Sequence, residues 1–207
     1  MSPDAIEEMF RRLAAHNPEP RSDLAYRDAY TLLVAVVLSA QATDEGVNKA
    51  TKRLFADADT PETMVALGLE GIKERIKTIG LFNNKAKNVL ALSQQLIDRH
   101  DGRVPADRAA LEALPGVGRK TANVVLNIAF GEETCAVDTH IFRLANRLGL
   151  APGKTPLEVE NKLMAVVPGP YRRHAHHWLI LHGRCVCKSR KPDCPAWPIS
   201  DLCPFEP

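Results

Sequence analysis

The stretch LEALPGVGRKTANVV, residues 111–125, decides the fold. A short run carrying Leu111 and Leu114 meets Pro115-Gly116-Val117-Gly118, and a very apolar run from Lys120 to Phe130 begins at once. Two glycines two residues apart let the chain turn tightly, so the stretch predicts two helices joined as a hairpin. The same glycines let the backbone approach a ligand closely, and the N–H groups opening the second helix attract a phosphate. A turn of this kind can hold a DNA backbone without reading a base. A hairpin whose glycines only permit close packing would look alike, so the motif alone leaves both readings open.

Working outward, the helical period continues on both sides. Ile6, Met9, Phe10 and Leu13 form one face of a first helix, opposite Glu7, Glu8, Arg11 and Arg12. Residues from about Asp28 to Ala40 are apolar nearly all round, which predicts a buried helix. Thr43 and Asp44 supply a cap for the next segment, and Thr60-Pro61-Glu62 is a start signal with proline at the first helical position. Ile72, Ile76 and Ile79 keep the helical period up to Gly80, which ends that segment at the link GLFNN before a run from Lys85 to His100. Asp107 caps the short helix of the hairpin, Gly131 stops the apolar one, Asp138 or Thr139 opens another, and Pro156 starts one more. No stretch alternates in the manner of a strand, so the fold class is all-α.

Composition sets the boundaries of this reading. A chain of 207 residues with 45% hydrophobic and 25% charged residues has the make-up of a folded globular protein, with room for one large domain or two small lobes. The opening MSPDAIEEMF lacks the basic and apolar pattern of a signal peptide, and the apolar run from Leu32 to Ala40 is shorter than the roughly 18 residues of a membrane span. A cytoplasmic protein is therefore expected, and clustered cysteines there read as metal ligands rather than disulfides. Cys135, alone, reads as a small core residue. Net charge is only +2, but from Tyr171 to Lys191 there are six Lys or Arg, four His and no acid. Such a segment suits a phosphate-binding surface as well as a merely solvated face.

Lys120 falls in the first turn of the hairpin's second helix, where the positive end of the helix dipole disfavours its charged form. In a dry site, desolvation would push the amine the same way, toward the neutral nucleophile that attacks sugar carbons and forms Schiff bases. An ordinary phosphate-contacting lysine is the alternative. Asp138 caps its own helix and can also assist deprotonation or stabilise positive charge on a sugar ring.

Five blocks, LLVAVVLSAQATD at 32–44, IKTIGLFNNKA at 76–86, LPGVGRKTANVVLN at 114–127, VDTHIFRLANRLGL at 137–150 and HHWLILHGR at 176–184, together resemble the endonuclease III family, bifunctional DNA glycosylases and abasic-site lyases of the helix-hairpin-helix superfamily. The resemblance runs from about Asn17 to Cys203. It implies a base-excision repair enzyme that removes oxidised pyrimidines from damaged double-stranded DNA and nicks 3′ to the abasic site, with Lys120 as nucleophile and Asp138 assisting. It implies two lobes, 22–132 and 1–21 plus 133–207, with a DNA cleft between them. By the same resemblance Gln41 fills the hole left by a flipped base, Leu81 wedges into the opposite strand, and His140 lies at the pocket, where a hydrogen-bonding support is the plainer reading. Gly116, Gly118 and Arg119 of the hairpin and Lys188, Arg190 and Lys191 of the basic segment complete the expected DNA contacts. A monomer is expected. A non-catalytic damage-sensing module built on the same hairpin is the alternative from another class.

The C-terminal stretch CVCKSRKPDCPAWPISDLC, residues 185–203, departs from the family pattern. That pattern is Cys-x6-Cys-x2-Cys-x5-Cys around a [4Fe-4S] cluster. Cys187, Cys194 and Cys203 hold its first, second and fourth positions, Trp197 holds the third, and Cys185 is an extra thiol. Three readings stay open, in this order: a cluster on three thiolates with Cys185 or solvent as the fourth ligand; no metal, with Trp197 as a core plug; and zinc on four thiolates including Cys185, despite the tight single-residue spacing.

Overall fold

The computed structural model describes residues 1–206. It is all-helical, with no strand among those residues. The helices are α1 (Pro3–His16), α2 (Ala29–Leu38), α3 (Asp44–Asp57), α4 (Pro61–Ile76), α5 (Phe82–His100), α6 (Arg108–Glu112), α7 (Arg119–Phe130), α8 (Thr139–Arg147), α9 (Pro156–Val166) and α10 (Arg172–Cys185). Short 3-10 turns follow at Cys194–Ala196 and Ser200–Leu202. No helix of the described residues is long and apolar enough to cross a membrane.

Local chemistry explains most of the helix starts. The side chains of Thr43, Thr60, Asp107, Asp138 and Thr155 each accept a backbone N–H in the first turn of the helix they precede. Pro61 and Pro156 occupy first-turn positions, where the missing N–H costs nothing. Gly131 ends α7 in the left-handed conformation, φ 80°. The segment before Gly80 differs from expectation. Helix α4 stops at Ile76, so Ile79 is buried beyond its end, and the helix is broken at Gly68, with φ 71° and ψ 171°.

The chain divides into two compact units. One runs from Ser22 to Gly131 and holds α2 to α7. Its centre is α2, buried from Tyr30 to Leu38, which explains an apolar sequence without a polar face. Around it pack Val47 and Leu54 of α3, Met64, Ile72 and Ile76 of α4, Val89, Leu92 and Leu96 of α5, and Val125 of α7. The one phenol in this core is satisfied, Tyr30 Oη lying 2.7 Å from Ser93 Oγ.

The other unit joins Met1–Arg21 to Glu132–Pro207. Ile6, Met9, Phe10 and Leu13 of α1 pack with Ile141 and Leu144 of α8, Val159 and Leu163 of α9, and Trp178 and Leu179 of α10. Phe10 stacks on Tyr171 at 5.8 Å between ring centres, and Trp178 Nε1 donates to the carbonyl of Asn17 at 2.8 Å. Helices α8 and α10 meet at Gly183, where an added Cβ would come within 3.0 Å of the His140 carbonyl oxygen. Trp178 and Trp197, the chain's two tryptophans, both lie in this core.

Candidate nucleic-acid interface and cysteine loop

In the Ser22–Gly131 unit, α6 and α7 form the expected hairpin, and its two glycines serve different ends. Gly116 adopts φ +79°, and a Cβ there would stand 2.8 Å from Asn88 Nδ2, so both conformation and packing require glycine. Gly118 has an extended backbone with φ −100°, is exposed, and an added Cβ would meet nothing within 4 Å. Neither backbone conformation nor crowding within the chain requires glycine there. Gly118 is also the N-cap of α7, no side chain caps that helix, and a helix start of this kind suits an anion.

Arg119 and Lys120 are the first two residues of α7. Lys120 is exposed, which differs from the dry setting in which desolvation would help neutralise it. Its place at the positive end of α7 works in that direction, and a bound partner that covers it would add drying.

Positive φ marks two further candidates in this unit. Leu81 is left-handed, φ 60° and ψ 22°, at the start of α5 and 56% exposed. Gln41, just past α2, is exposed with φ 53°. For residues with a Cβ this backbone is uncommon and costs on the order of 1–2 kcal/mol. Among the described residues only Gln41, Leu81, Asp101 and Lys191 are non-glycine residues with positive φ, so three of the four coincide with DNA contacts expected from sequence.

In the other unit, Asp138 is the N-cap of α8. Its Oδ1 accepts the N–H groups of His140 and Ile141, both at 2.9 Å, leaving Oδ2 outside the cap. His140 Nδ1 lies 3.4 Å from Arg143 Nη2, a supporting contact within α8.

The basic loop after α10 is gripped by two arginines that sequence reasoning passed over. Arg143 donates to the carbonyls of Gly183 at 2.7 Å and Cys187 at 2.9 Å, and Arg147 donates to those of Lys188 at 2.7 Å and Ser189 at 3.1 Å. Both sit on one face of α8, four residues apart; that spacing is the signal that could have found them. Lys188, Arg190 and Lys191 are left exposed, Lys191 with φ 50°.

Whether this loop suits a four-iron cluster can be tested on its packing. Cys187 is buried, and Cys194 and Cys203 are partly so. Trp197, 6% exposed, occupies the third position and stacks on His182, with ring centres 3.3 Å apart and planes 18° apart. The cavity remaining beside the three thiols is about 30 Å³, room for a water or two and not for a cube of four irons and four sulfides. Trp197 has no lone pair to replace the thiolate. Cys185 is exposed and opens on a separate cavity of about 190 Å³. His182, Val186 and Trp197 line both cavities, so they stand as a wall between Cys185 and the other thiols. Among the described residues no three His, Cys, Asp or Glu side chains gather as a metal site. Neither donors nor space fit the cluster, and Cys185 does not substitute.

Burial also removes two histidines of α10 from titration near neutrality. Desolvation holds His177 down to about 4 and His182 down to about 3.

Comparison with known proteins follows the same outline. Residues 34–169 match the family described as HhH-GPD superfamily base excision DNA repair protein. Endonuclease III of Rickettsia conorii is 56% identical over 205 residues, covering 99% of this chain and 98% of that protein. Endonuclease III of Escherichia coli K12 is 56% identical over 199 residues, covering 96% and 94%. A solved structure of a trapped endonuclease III–DNA covalent intermediate superposes with a TM-score of 0.91 at 44% identity, covering 99% of this chain and 96% of that one. A thermostable thymine-DNA glycosylase gives 0.86 at 27% identity, covering 98% and 96%.

Proposed function

This chain belongs to the endonuclease III family of HhH-GPD base excision DNA repair proteins, and from that premise we propose that it is a DNA glycosylase with lyase activity on oxidised pyrimidines in duplex DNA. The observation that carries the reading is the hairpin: a helix start with glycine rather than a side-chain cap, a Gly118 with open space above it, and Lys120 as the second residue of that helix. A relative 44% identical to this chain was captured covalently bound to DNA, which is the outcome expected of a nucleophilic amine.

The phosphate backbone docks on the N–H groups opening α7, with Arg119 beside them, while Lys188, Arg190 and Lys191 add charge-driven contacts. A base must leave the stack to be excised. Leu81, an exposed apolar residue held in a left-handed turn, serves as the wedge, and Gln41 fills the vacated place with hydrogen-bonding groups. The lesion and DNA then exclude water from the exposed Lys120, supplying the desolvation that the free protein lacks.

Neutral Lys120 Nζ donates its electron pair to C1′, and the N-glycosidic bond breaks with the pair leaving on the base, which takes a proton. Opening of the sugar ring gives the protonated Schiff base. Loss of the C2′ proton then expels the 3′ phosphate by β-elimination, and water releases the lysine. Asp138 takes the assisting role that the family resemblance implies: its Oδ1 caps α8, and the carboxylate serves as a base and a stabiliser of positive charge. His140 supports the start of α8. No step passes through a metal. The enzyme acts as a monomer on DNA in the bacterial cytoplasm.

Borohydride added to the protein on duplex DNA with an oxidised pyrimidine tests this. A covalent adduct is expected, absent in Lys120→Ala. Asp138→Asn, which keeps a capping oxygen, is expected to slow base release by about 10²-fold or more. A wild-type protein that binds the duplex and never traps would leave only a damage-sensing role.

A further inference from the structure

We propose that the His182–Trp197 stack takes the place of the family's metal centre as the cross-link of the C-terminal loop, so that this chain builds the loop without an iron–sulfur cluster. The inference rests on the packing of the loop and stands apart from the chemistry assigned to Lys120.

A loop of about twenty residues with little regular structure needs some cross-link to hold one shape, because its own backbone entropy opposes order. In the family pattern four thiolates on one cluster would supply it. Here the third position presents an indole, and its ring lies face to face on His182 at 3.3 Å. Both rings are buried, at 6% exposure each, so the contact fastens the loop to α10 through apolar area and stacking. The space a cluster would need has shrunk to about 30 Å³.

The remaining anchors are organic too. Arg143 and Arg147 hold the carbonyls of residues 187–189 from α8. The Arg147 guanidinium also lies 4.3 Å over the centre of the Phe205 ring, beyond the last cysteine. Ile199 is completely buried between Trp197 and Cys203 in sequence. The loop is thus pinned before, at and after the missing ligand, and Cys187, Cys194 and Cys203 form no disulfide, with Cys187 Sγ accepting from Arg147 Nη1 at 3.5 Å.

The stack is fixed by shape rather than by hydrogen bonding, since Trp197 Nε1 and His182 Nε2 are both buried without a hydrogen-bond partner. Another aromatic ring should therefore serve at 197, whereas a methyl should not. A thiol should reopen the space and complete the ligand set, because the other three positions are already cysteine.

The test uses the full chain, purified anaerobically and then treated with iron and sulfide. The wild type is expected to stay colourless with less than one iron per chain, and Trp197→Cys to take up about four irons with the broad visible absorbance of a cluster. Visible absorbance with bound iron and sulfide in the wild type would overturn the proposal. If Trp197→Cys does not fold, tryptic cleavage at Lys188 and Arg190 decides. Trp197→Ala is expected to open the loop to cleavage about tenfold or more faster, while Trp197→Phe cleaves like the wild type. Equal resistance in Trp197→Ala would show that the stack does not hold the loop. Melting of the wild type is expected to be unmoved by an iron chelator, and a chelator-induced drop would likewise refute the proposal.

Discussion

Gly116 turns directly against Asn88: a methyl on its Cα would stand 2.8 Å from Asn88 Nδ2, on a backbone with φ +79°. Two residues later the same substitution would meet open space. Gly116→Ala is therefore expected to lower unfolding free energy by about 1–3 kcal/mol. Gly118→Ala is expected to lose less stability, up to about 1 kcal/mol for the poorer N-cap, and to bind duplex DNA about tenfold more weakly, a loss of about 1.4 kcal/mol. Urea unfolding and a binding titration on both variants check the division.

Leu81 holds an apolar side chain outward at φ 60°. Replacing it with glycine removes the left-handed penalty, so Leu81→Gly is expected to be as stable as the wild type or more so, by up to about 1 kcal/mol. Affinity for lesion-containing duplex is expected to fall in the same variant. Lower stability with unchanged affinity would assign Leu81 to packing.

Gly183→Ala brings a methyl within 3.0 Å of the His140 carbonyl oxygen where α8 crosses α10. Backbone cannot yield as a side-chain tip does, and a loss of about 1–3 kcal/mol is expected in thermal or urea unfolding.

Acid should weaken the α10 unit through its histidines. His177 and His182 are held to about 4 and about 3, while in the unfolded chain they titrate near 6.5. With folded values depressed, the unfolded chain binds more protons as pH falls. Their contribution is complete above about 6.5 and is lost through the window down to about 4 for His177 and about 3 for His182. Between about pH 7.5 and 5.5 the two together are expected to cost about 2–3 kcal/mol, and His177→Phe to remove about half of that dependence. Stability that is flat across this interval would show both rings accessible to protons.

Cys135 is buried, and burial pushes its thiol up to about 12. Alkylation of the native protein near neutral pH is expected to label exposed Cys185 first and to leave Cys135 untouched until denaturant is added, burial having cut the Cys135 thiolate fraction about a thousandfold below that of an ordinary thiol. Peptide mass analysis before and after unfolding reads this directly.

The features legible in the sequence were those with local causes. The caps at Thr43, Thr60, Asp107 and Asp138 and the left-handed stop at Gly131 each follow from residues within one turn of each other. The apolar surround of α2 announced its burial for the same reason. Features set by distant partners stayed hidden. The break at Gly68, the early end of α4 before Ile79, and the positive φ of Gln41, Leu81 and Lys191 depend on how the packed chain closes its turns. The grip of Arg143 and Arg147 joins residues some forty positions apart. Trp197 was readable as a missing ligand, but its partner His182 was not, since nothing in either neighbourhood points to the other.

The placement of both tryptophans has an optical consequence. Trp178 and Trp197 lie in the unit formed by Met1–Arg21 and Glu132–Pro207, and the Ser22–Gly131 unit has none. Tryptophan emission, excited at wavelengths where Tyr26 and Tyr30 do not absorb, therefore reports one unit alone, while circular dichroism in the far ultraviolet sums the helices of both. Superimposable denaturation curves from the two signals would mean that the halves melt as a single cooperative body. Curves that separate would time the loss of one half against the other, with no label added to the chain.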